Sequence, residues 1–112
     1  MFARQAVMFA LGTSMAVPGL AAPPEALYSQ TCIACHGANG KGAIPGVPDL
    51  TAPGGPLATK SDADLARSVL NGLQSRGSPM AMPPRGGNPM LSAEDAAALV
   101  SYLRERFERP SR

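Results

Sequence analysis

Cys32-Ile33-Ala34-Cys35-His36 is the part of this 112-residue chain whose residue types and spacing can do chemistry. On a helical turn, two thiols three residues apart face the same side, and here an imidazole follows at once. C-x-x-C-H is the pattern that captures c-type haem: each sulfur adds to a vinyl group, and the histidine is held under the iron as proximal ligand. Cys32 and Cys35 are the only cysteines and His36 the only histidine. A zinc site would need a second pair of ligands. A thiol-redox pair would need a strand and a βαβ setting, and no alternating strand pattern is visible.

An iron held by His36 leaves its sixth position to be explained. Met80, Met82 and Met90 compete for it, on a stretch that reads Met80-Ala81-Met82-Pro83-Pro84-Arg85-Gly86-Gly87. A thioether opposite an imidazole gives a higher reduction potential than two imidazoles. Pro83-Pro84 restricts the backbone around Met82 and would hold its sulfur in place. Arg85 could pair with a haem propionate or remain a solvated loop charge. Lys41, Lys60 and Arg76 read as scattered surface charges rather than a steering patch.

Three helices must position these groups. Pro24 and Glu25 suit a first turn, so a helix is expected from about Pro24 to Ala34, stopped by Gly37, Gly40 and Gly42. Ser61 with Asp64 makes a capping pattern for a second helix, striped by Leu65, Val69, Leu70 and Leu73 and ended at Asn71-Gly72. Ser92 with Asp95 repeats it for a last helix through Ala96, Leu99, Val100, Leu103 and Phe107, ending near Glu108 before Pro110. The stretches from Gly37 to Lys60 and from Gly77 to Pro89 are Gly/Pro-rich loops. A loop as long as the first is unusual in a small domain, and wrapping around a bound cofactor would account for it.

Residues 1–22 read as a cleaved secretory signal: Arg4 is their only charge, an apolar stretch runs from Ala6 to Val17, and small residues follow around Ala21-Ala22. The apolar stretch is short for a membrane span and is broken by Gly12 and Pro18. Residues 23–112 would form one domain, with nine Lys and Arg against eight Asp and Glu. That balance, with no basic run, gives no support for nucleic-acid binding. Only Tyr28, Tyr102 and Phe107 supply aromatic rings beyond the signal. So small and aromatic-poor a domain is hard to stabilise alone, and an embedded haem would add apolar surface.

In order, the chain carries C-x-x-C-H, Gly46-Val47-Pro48-Asp49-Leu50, an M-P-P-x-G-G stretch from Met82, and a last helix with Tyr102-Leu103. This resembles the class I monohaem cytochromes c of the small soluble bacterial type, over essentially all of residues 23–112. It lacks the further cysteine pair that several members with M-P-P-x-G-G carry, having Asn88-Pro89-Met90-Leu91 there. The resemblance implies an all-α fold of three or more helices around one covalent haem c, with long loops. It also implies crossing first and last helices, Leu27 meeting Leu99, Tyr102 and Leu103. By the same resemblance, Met82 is the distal iron ligand and the Pro48 carbonyl binds the far nitrogen of His36. The function implied is a periplasmic one-electron carrier between redox partner proteins, not an enzyme. A dedicated cytochrome subunit of a periplasmic dehydrogenase or oxidase is the alternative, and a haem enzyme or gas sensor with a labile methionine the third reading.

Overall fold

Helix starts and stops written into the sequence set the architecture of the computed structural model, which describes Gly12, residues 22–74 and residues 79–108. The expected signal segment lies outside the described residues except for Gly12 and Ala22, as does Arg76. Among the described residues five α-helices follow in order: α1 Pro24–Thr31, α2 Ile33–His36, α3 Pro56–Thr59, α4 Asp62–Asn71 and α5 Ala93–Phe107. Among the described residues the extended pairing is a single antiparallel bridge, Leu73 to Met82. The domain is all-α.

The caps act as their residue types require. Ser61 Oγ accepts from the Asp64 N–H at 3.1 Å, and Gly72 ends α4 with φ +79°. Ser92 and Asp95 complete a reciprocal capping box at the start of α5, with bonds of 3.0 and 2.9 Å. Each such cap satisfies helix-end donors that would otherwise have no partner.

Three expectations need correction. The first helix does not run unbroken to Ala34: Cys32, at φ −112°, ends α1 and begins α2, so the motif occupies its own turn. The Gly37–Lys60 stretch is not structureless, because Pro56 starts the short helix α3, with its fixed φ suited to a first helical position. Leu73 does not extend the buried stripe of α4. It lies past Gly72, partly exposed, with its backbone paired to Met82.

The core sits where α1, α4 and α5 meet. Leu27, Tyr28, Leu65, Val69, Leu91, Ala96, Leu99, Val100 and Phe107 are buried there, with Tyr102 and Leu103 packed against them. The first and last helices do meet, chiefly through rings: Tyr28 lies 5.6 Å from Tyr102 and 5.5 Å from Phe107, both tilted. Tilted pairs at this spacing are favourable beyond their buried area. The Phe107 ring also packs on Gly40, where a Cβ would fall 2.7 Å from it. A loop glycine thereby lets the first long loop lie flat on α5.

A candidate haem site

The C-x-x-C-H turn is held from both sides. Cys35 and His36 N–H groups both donate to the Cys32 carbonyl, at 3.2 and 3.0 Å, and Gly37 closes on Ile33 at 2.8 Å. The loop then folds back, Gly42 donating to the His36 carbonyl at 2.9 Å and Ala43 to that of Cys35 at 2.8 Å. The Tyr28 hydroxyl donates to the Gly37 carbonyl. Backbone carbonyls at the end of a short helix are thus satisfied by the chain that leaves it.

Facing this turn is the arm that carries Met82. Leu73 and Met82 exchange backbone bonds of 3.0 and 2.7 Å. A Cβ on Gly72 would fall 2.6 Å from the Met82 carbonyl oxygen, so only glycine permits that approach. On the other side of the arm, Gly86 abuts Thr31 of α1, where a Cβ would fall 2.2 Å from the threonine methyl.

Between turn and arm lies a cavity of about 480 Å³, bordered by Cys32, Cys35, His36 and Pro48 and by Met80 and Met82. A second cavity of about 190 Å³ adjoins it, reaching to Leu50, Leu57, Leu65 and Leu99. Cys32, His36, Pro48, Val69, Leu73 and Met82 border both. The expected site residues are therefore together around one space. Met90 is 84% exposed and borders neither cavity; Met80 borders only the larger one. Sequence reading had no signal for Leu73 and Gly72 as the residues that place Met82, since their role is a contact across ten residues.

Burial tunes the groups in the turn. It lowers the His36 pKa, keeping the imidazole neutral and able to bind a metal. His36 Nδ1 is buried with no hydrogen-bond partner among the described residues, so the bond to Pro48 implied by the resemblance is not formed here. Burial first, and the neighbouring Cys35 second, push the Cys32 thiol up to about 11. A redox-active cysteine pair needs the opposite shift, toward thiolate at neutral pH. Among the described residues no three His, Cys, Asp or Glu side chains converge as a metal cluster. The fit is to a large flat apolar group with one covalent edge, rather than to a bare ion or an exchanging disulfide.

A helical domain that lines an apolar slot with paired thiols and an imidazole defines a class, the c-type haem proteins. The chain belongs to the cytochrome c family: the family model described as Cytochrome c matches residues 21–106. It is a class I monohaem cytochrome c, an electron-transfer protein with a covalently attached haem c and its iron. It is similar to cytochrome c-551 of Pseudomonas aeruginosa, with 31% identity over 97 residues, 86% of this chain and 88% of that protein. It is also similar to the lupanine 17-hydroxylase [cytochrome c] of a Pseudomonas species, 31% identical over 78 residues, 70% of this chain. The chain spans only 10% of that hydroxylase. Among solved structures, the KustC0563 c-type cytochrome matches with a TM-score of 0.61 and 25% identity, covering 79% of this chain and all of that one.

Proposed function

We propose that the chain is a periplasmic one-electron carrier with haem c ligated by His36 and Met82. Residues 1–22 act as a cleaved export signal and residues 23–112 as the carrier domain. When bound, the haem supplies reversible one-electron chemistry between ferric and ferrous iron. The residues of the chain do the rest. Cys32 and Cys35 tie the group to the domain through thioethers. His36 would hold it from one wall as the neutral ring that burial favours, and the Pro48 carbonyl on that wall would take up the second ring nitrogen, which has no partner among the described residues, once the bound group seats the ring. Such a bond fixes ring orientation and tunes the metal. Met82 binds from the other wall. It is favoured over Met80 because its backbone is paired to Leu73 and it borders both cavities. The leucine and valine lining excludes water, which favours a reduced iron of lower charge and limits reorganisation.

The observation that carries this reading is the meeting of the C-x-x-C-H turn and Met82 across one apolar slot. A reduced-minus-oxidised spectrum of the mature protein tests it, together with carbon monoxide uptake. The native ferrous protein is expected to resist carbon monoxide. Met82→Ala is expected to bind it and to show a lower midpoint potential. Unchanged spectrum and potential in that variant would reject Met82 as ligand.

The likeness to a hydroxylase named with a cytochrome c favours a second reading, in which this chain serves as the haem subunit of a larger oxidoreductase. Stoichiometric co-purification with such a subunit supports it, whereas a free monomer reduced by several donors supports the carrier.

A further inference from the structure

We propose that the Lys60 ammonium is the counter-charge for a haem propionate, held in place by Arg104. The inference rests on the haem reading above and adds a residue to it. Haem c carries two propionate carboxylates on the ring edge opposite its vinyl groups. Among the described residues no Lys, Arg, Asp or Glu borders the larger cavity, and Lys60 is the one such residue bordering the smaller. Cys32 borders both cavities, Cys35 only the larger and Lys60 only the smaller, so the lysine stands at the end of the slot away from Cys35.

The Lys60 backbone is already committed. Its N–H donates to the Pro56 carbonyl at 3.0 Å, and its carbonyl accepts from Arg104 Nη2 at 2.9 Å. The side chain is half-buried and makes no ion pair with a described residue. Arg104 differs: Asp62 and Glu108 already occupy its guanidinium, while Nη1 and Nη2 grip the carbonyls of Leu57 and Lys60. Arg104 is therefore a positioning residue that fixes the segment bearing the lysine. A carboxylate entering a cavity walled by leucines loses hydration there, so an ammonium on that wall is the group it requires. Arg85 offers a cation too, but it is exposed on a left-handed turn at φ +57° and borders neither cavity.

The test is the midpoint potential of the haem-loaded protein at one pH and ionic strength, for wild type, Lys60→Gln, Lys60→Arg and Arg85→Gln. Removing a cation near the iron favours the ferric state. Lys60→Gln is therefore expected to lower the potential, Lys60→Arg to restore it, and Arg85→Gln to leave it in place. A loaded Lys60→Gln protein with an unmoved potential overturns the proposal, as does a shift seen in Arg85→Gln alone. Should Lys60→Gln fail to mature, through-space NMR contacts between the Lys60 side chain and the propionate methylenes of the wild-type protein decide it, their absence overturning it. A wild type that takes up no haem defeats the underlying haem reading instead, so the two failures are distinguishable.

Discussion

The two walls of the haem slot are built in opposite ways. The Cys32–His36 wall is local: every backbone bond that shapes it comes from within about ten residues, and the motif makes one helical turn of its own. The Met82 wall is tertiary. It hangs on two bonds to Leu73 and on the bare Cα faces of Gly72 and Gly86, one meeting the Met82 carbonyl and the other a different helix. A covalent attachment has to be specified before the group arrives, and short-range hydrogen bonds do that at small entropic cost. A reversible axial ligand can be delivered by the finished fold. On this proposal the carrier has one wall that survives partial unfolding and one that does not.

The largest effect should come from the local wall. Replacing Cys32 and Cys35 with Ser together is expected to abolish covalent haem, read as loss of haem signal on a denaturing gel. Retained signal would break the assignment. Next comes the tertiary wall. Gly72→Ala introduces a Cβ 2.6 Å from the Met82 carbonyl at a left-handed φ, whereas Gly54→Ala keeps a similar φ of +72° with nothing within 4 Å. Gly54→Ala should cost only the conformational penalty, about 1–2 kcal/mol. Gly72→Ala should cost more and also weaken the proposed Met82–iron bond, seen as carbon monoxide uptake. Equal melting temperatures and closed ligation in both variants would show that Gly72 does not position the arm.

A smaller effect sharpens the account of the local wall. Burial chiefly, with Cys32 and Tyr102 adding to it, pushes the Tyr28 phenol up to about 12. Because the folded state keeps this proton longer than the unfolded chain, the phenol's contribution is complete below pH 10 and is lost as pH rises toward 12. Tyr28→Phe should lower stability by about 1 kcal/mol at neutral pH through the lost bond to Gly37. It should also flatten the alkaline decline between those two pH values. A variant with the same alkaline decline as wild type would remove Tyr28 from the explanation. Smallest of all is Arg67→Ala: its ion pair with Asp64 is more than half exposed on both sides and should leave the melting temperature within error.

Much of this was legible from residue types. The caps at Ser61 and Ser92 were, because a hydroxyl three residues before an acid forms bonds inside one turn. The C-x-x-C-H turn was, because its spacing involves only neighbouring positions. The break at Cys32 was not, since helical periodicity continues across it and only the backbone angle departs. The helix α3 was hidden in a Gly/Pro-rich stretch whose composition reads as loop. The choice among Met80, Met82 and Met90 stayed open on spacing alone, because each is within reach of an iron whose position the sequence does not state.

By itself the sequence determined the class of the domain, the turn that carries its paired thiols and the ends of its two longer capped helices, all consequences of interactions between near neighbours. The tertiary structure decided which backbone holds Met82, how the Gly37–Lys60 loop is pinned, and that among the described residues Lys60 is the one Lys, Arg, Asp or Glu bordering the slot. Those depend on distances between segments far apart in the chain, as between Arg104 and Leu57, 47 residues away, and no local pattern encodes such a distance.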